Sequence, residues 1–70
     1  MLNHCLINQG HVHRLVVTPD LTGWEVLEEE DSEVVMRRHR DDWHRVECDI
    51  LLFEIRVIPL RREGWIEFST

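Results

Sequence analysis

"DDWHRVECDILLFEIRVIPLRREGW" (Asp41–Trp65) is the densest run of large apolar side chains in the chain, and the fold turns on whether it coils or pleats. Trp43, Val46, Ile50, Phe53, Val57 and Leu60 follow one another at spacings of 3, 4, 3, 4 and 3, the period of one helix face. Asp41 or Asp42 can cap the N-terminus by accepting from the unpaired backbone N–H groups of a first turn. Arg61 and Arg62 suit the negative end of the helix dipole, and Gly64 stands where a left-handed residue ends a helix. Together these signals predict a helix of about 20 residues. Against it stand the β-branched residues between Ile50 and Ile58, and the alternation of Phe53, Ile55 and Val57 with Glu54 and Arg56, which suits a strand. Pro59 removes a backbone donor as well, so a kink is expected near Ile55 to Pro59. The unbroken series and its two caps favour the helix.

Such a helix is apolar on two sides. At about 100° per residue, Trp43, Val46, Ile50, Phe53, Val57 and Leu60 form a stripe of ordinary core-facing width. Cys48, Leu51, Leu52, Ile55 and Ile58 form a second apolar region opposite it. Glu47 and Glu54 line one boundary between the two, and Arg45, Asp49 and Arg56 line the other. One layer of short strands covers only one side of a helix. The second region is therefore expected to face another molecule, most simply the same helix of a second copy about a two-fold axis.

Upstream, the chain reads as strands. "HCLI" (residues 4–7) is a short one, "NQG" (residues 8–10) a turn, and "HVHRLVVT" (residues 11–18) a β-branched strand. "PDLTG" (residues 19–23) has the residues of a loop. "WEVLEE" (residues 24–29) and "EVVMRR" (residues 33–38), separated by "EDS", predict an antiparallel hairpin with an acidic tip. "WIEFS" (residues 65–69) alternates again and suggests a last short strand. The expected fold is α+β: an antiparallel sheet of three or four strands packed on one long C-terminal helix, order β-β-β-α, with an extra terminal strand as an option. Residues 1–70 make one small domain.

Size and composition narrow the function. A chain of 70 residues buries a small core, so it needs a disulfide, a metal or a partner subunit to gain stability. Cys5 and Cys48 lack the dense spacing of a secreted scaffold, and the N-terminal residues show no signal-peptide pattern, so reduced thiols and a cytoplasmic location are expected. The longest apolar run, "ILLF", is far too short to cross a bilayer. Fourteen acidic residues against eight arginines and no lysine give a net charge of −6, which argues against a nucleic-acid binder. Locally, "RRHR" (residues 37–40) reads as a counterweight to the acidic tip or as cross-hairpin pairing.

Few residues suggest chemistry. His11 and His13, at i and i+2, share one face of a strand and are the best candidates for two metal ligands, with His4 and Cys5 nearby. His44 and Cys48 meet at i, i+4 on the helix. No compact CxxC or HxxxH pair supports them. Cys48 falls in an apolar region and reads as a small buried hydrophobe. The carboxylates from Glu28 to Glu33 read as a solvated tip. No phosphate loop or nucleophile elbow is present. No cofactor is expected, and no enzymatic activity. The expectation is a self-associating interaction module, a dimer or a binder of some other protein, using Leu51, Leu52, Ile55 and Ile58. The alternative is a metal or small-ligand binder built on His11 and His13.

Overall fold

Two-residue turns dictate the topology. Gln9 and Gly10 join β1 (Leu2–Asn8) to β2 (His11–Asp20), and Asp31 and Ser32 join β3 (Gly23–Glu30) to β4 (Glu33–Arg40). All four turn residues have positive φ, the sign of a type I′ turn, whose twist matches that of the strands it joins. Between β2 and β3 only Leu21 and Thr22 lie outside the strands, and the Asp20 carboxylate accepts from the Thr22 N–H at 2.9 Å. The stretch 19–23 is thus mostly strand: its loop residues serve a tight turn. The computed structural model describes residues 2–69.

A 20-residue helix, α1 (Trp43–Arg62), follows, and then β5 (Ile66–Ser69). β5 pairs antiparallel with β1, giving a five-stranded antiparallel sheet of order β4-β3-β2-β1-β5. The α+β expectation holds, as β-β-β-β-α-β. The hairpin tip and the last strand stand where the alternation placed them.

Asp42 caps the helix, its Oδ1 accepting from the His44 N–H at 2.9 Å. Pro59 does not end it: the helix continues to Arg62. Gly64, with φ +101°, ends it in a Schellman arrangement. The Gly64 N–H donates to the Arg61 carbonyl and the Trp65 N–H to the Leu60 carbonyl.

Sheet and helix meet over a small core of Leu6, Leu15, Val17, Val26, Val46, Phe53 and Val57. The first stripe packs on the sheet as its spacing requires, with Ile50 and Leu60 at its margins. Trp43 departs from that reading. It sits at the first residue of the helix, beyond the layer's edge, and stays exposed while its ring lies 5.2 Å from that of Trp24. Phe53 is the hub, with the His13 ring 5.3 Å away edge-on and the His4 ring at 6.2 Å.

Charge finishes the layer where apolar side chains run out. On the helix-facing side β4 presents Arg38 and Arg40, and both reach Asp49 on α1, Arg40 through two hydrogen bonds of 2.8 and 3.0 Å. One strand inward, Glu28 takes Arg56 of α1 in a bidentate pair at 2.6 and 3.1 Å. Asp49 is 6% exposed and Glu28 4%. Two expectations are corrected here. "RRHR" neither balances the acidic tip nor pairs across the hairpin through Arg38 and Arg40, because alternation aims both at the helix. Nor is Glu28 a solvated tip residue, since pairing with Leu15 and Met36 puts it on the covered face.

Candidate functional site

The fold leaves the helix surface opposite the core uncovered. Leu51 is 56% exposed, Leu52 53%, Ile55 54% and Ile58 45%. The helix lies on one face of a single sheet, so its outward half has nothing from the described residues over it. Cys48 belongs to the same surface: it is exposed and a free thiol, not the buried hydrophobe its neighbours suggested. His44 and Cys48 do come together, in a shallow groove of about 330 Å³ with Glu47, Ile50, Leu51 and Glu54.

A second apolar surface went unread in the sequence. It lies on the sheet's other face, where direct pairing sets Ile7 beside Ile66 and Cys5 beside Phe68. Ile7, Ile66 and Phe68 are exposed. Their alternation with Leu6 and Glu67 carries the signal, but it becomes legible only once β5 is known to join β1. The pair Arg14–Glu29, 3.1 Å apart, interrupts this face with charge.

His11 and His13 share a face as expected, yet they do different things. His11 is exposed and its Nδ1 is 3.1 Å from Asp31 Oδ2. Asp31 also accepts from the Val12 N–H, and that bond, with His11 second, holds its carboxyl below the usual range. His13 turns inward onto Phe53, with its Nε2 buried and without a hydrogen-bond partner. Glu28 Oε1 and Glu30 Oε1 each lie 3.9 Å from that nitrogen. Among the described residues no group of three or more His, Cys, Asp or Glu side chains is arranged to hold a metal ion. Around these histidines, His11, Val12, His13, Glu30, Asp31, Leu60 and Trp65 line a cleft of about 260 Å³. It sits where two hairpin turns and the helix C-terminus converge.

Among the described residues no helix is long and apolar enough to cross a membrane. The chain matches no family model, no curated protein and no solved structure. Its geometry is therefore the only guide to its role.

Proposed function

We propose that the chain is a small interaction module that self-associates through the outer face of α1. The observation that carries this reading is the exposure of Leu51, Leu52, Ile55 and Ile58 along one side of a helix whose other side already holds the core. His44, Cys48, Leu51, Ile55, Ile58 and Arg62 recur at spacings of 4, 3, 4, 3 and 4, the seam spacing of paired helices. Charge favours an antiparallel mate. With the two-fold axis at the level of Phe53, Leu51 meets Ile55 of the second copy and Cys48 meets Ile58 of the second copy. Leu52 meets its own counterpart on one flank. On the other flank Glu47 comes opposite Arg61 of the second copy. Helix dipoles oppose each other in this arrangement, which also favours it.

Magnitudes set the strength. Four half-exposed side chains on each copy, worth about 1.5–3 kcal/mol each when fully buried, offer roughly 6–12 kcal/mol gross. Association itself costs about 4–15 kcal/mol. At most about 8 kcal/mol is left over, so the contact is micromolar at its tightest and not permanent.

Equilibrium sedimentation of the native chain and of the double variant Leu51→Glu, Ile55→Glu is the test. The native chain is expected to dimerise at micromolar concentration. The variant is expected to stay monomeric with unchanged far-UV circular dichroism. A native chain that remains monomeric through the high micromolar range overturns the reading.

A further inference from the structure

The flank of α1 that faces β4 borders a groove of about 200 Å³. Its floor is apolar, from Leu15, Val26, Met36 and Leu52, and Arg38, Asp49 and Arg56 complete its lining. Charge at this junction does not balance. Asp49 takes both Arg38 and Arg40, and Glu28 takes Arg56, so three guanidiniums share two carboxylates. Arg40 holds Asp49 through Nε and Nη2, whereas Arg38 reaches it through Nη1 only. Among the described residues nothing takes the Nε and Nη2 edge of Arg38, whose side chain is 43% exposed.

We propose that this groove binds a short aliphatic monocarboxylate as a free acid, with its carboxylate on Arg38 and its stem on the apolar floor. The Nε and Nη2 edge of a guanidinium presents two parallel N–H groups, which match the two oxygens of a carboxylate. Asp49 lines the same groove, but its charge is matched by Arg40, and both its oxygens already accept: Oδ1 from Arg38 and Arg40, Oδ2 from Arg40. That leaves the Arg38 charge for a ligand, although the chain as a whole carries −6. An ammonium is repelled by Arg38 and Arg56, and an alcohol leaves one of the two N–H groups unmatched. A glutamate side chain fits less well. Only two methylenes separate its carboxylate from the Cα, so polar peptide groups would lie on the floor that Leu15, Val26, Met36 and Leu52 make. The volume of about 200 Å³ is below that of pockets for drug-sized ligands, so the stem is short.

Butyrate is the probe, with butanol and butylamine as neutral and cationic controls. Titration followed by the Arg38 Nε–H and Met36 methyl resonances is expected to saturate with butyrate at roughly millimolar concentration and with neither control. Arg38→Gln is expected to weaken butyrate about tenfold. Arg38→Lys keeps a positive charge beside Asp49 and so protects the fold, and it is expected to weaken butyrate severalfold because an ammonium lacks the two-toothed edge. No saturation by butyrate, equal saturation by butanol, or an unchanged affinity in Arg38→Lys each overturns the proposal. Inorganic phosphate binding as tightly as butyrate overturns it too, since the floor then plays no part. Tighter binding of a capped peptide with a central glutamate also overturns it, and assigns the groove to a protein partner. Leu51 and Ile55 are not part of the groove's lining. A chain that stays monomeric in sedimentation is still expected to bind butyrate, so the two readings fail separately.

Discussion

Asp49 of the helix and Arg40 of the edge strand are joined by two hydrogen bonds, Nε to Oδ2 at 2.8 Å and Nη2 to Oδ1 at 3.0 Å, and Arg38 adds a third at 3.1 Å. This carboxylate does for β4 what apolar packing does for the other strands. Replacing it leaves two guanidinium groups with no counter-charge, although both retain some water contact. Asp49→Ala is therefore expected to cost about 2–3 kcal/mol, below the figure for a fully buried pair. Arg38→Ala, which leaves the bidentate partner in place, is expected to cost less. Urea unfolding of the two variants checks the order.

Acid is expected to unfold the chain through the same group. Burial pushes the Asp49 carboxyl up, but the hydrogen bonds and charges of Arg40 and Arg38 outweigh it and hold the carboxyl below its ordinary value. Asp20, through the Thr22 N–H, and Asp31, through the Val12 N–H, are lowered as well. A carboxyl with a depressed folded pKa binds fewer protons folded than unfolded. Its contribution is complete above the unfolded value of about 3.9 and is lost as pH falls through the folded value. Tm is expected to drop steeply below about pH 4 and to drop less steeply in Asp49→Asn. A flat acid profile in the native chain contradicts this.

Gly23 opens β3 against the last residue of β4. A Cβ there meets the Arg40 carbonyl oxygen at 2.2 Å, and its φ of +147° disfavours any L side chain. The obstacle is backbone, so it cannot swing aside. Gly23→Ala is expected to destabilise by about 2 kcal/mol or more, while Gly10→Ala, with open space around it, suffers only from its φ. Thermal unfolding of the pair separates clash from strain.

Phe53 stands at the centre of a seven-residue apolar core. Truncation to Ala costs about 3–5 kcal/mol in comparable sites. A chain of 70 residues has roughly 4–10 kcal/mol in total. Phe53→Ala is expected to lose most of its cooperative thermal transition, and the dimer with it.

Glu54 supplies a sharper test of the antiparallel seam. In that arrangement the two Glu54 carboxylates approach each other near the axis, like charge against like. Glu54→Gln is expected to tighten dimerisation, and Glu47→Arg to weaken it unless Arg61→Glu restores the opposite charge. Sedimentation of the single and double variants reads both effects, and a parallel seam gives no such rescue.

Most of the fold was legible because local signals agreed. The series from Trp43 to Leu60, the Asp42 cap and Gly64 all spoke for one helix, and positive-φ turn residues punctuated the strands. Polar burial was not legible. Alternation aims Glu28, Arg38 and Arg40 inward, but only the approach of Asp49 and Arg56 makes that tolerable, and such long-range pairing leaves no mark at fixed spacing. Cys48 was misread because a residue among apolar neighbours was assumed to share their burial, when the neighbours themselves are exposed. His11 and His13 were correctly placed on one face. Their separate fates depend on Phe53, forty residues downstream of His13.

Helix and sheet expose grease on opposite sides of the molecule, and this limits how copies can assemble. A dyad through the proposed helix contact would close and stop at two. A second dyad through Ile7, Ile66 and Phe68 would have no way to close and would extend the pair into an open-ended stack. Arg14 and Glu29, planted within that reverse side, put charge where such a contact needs apolar surface. Neutralising both with valine should turn a finite particle into one whose size climbs with concentration.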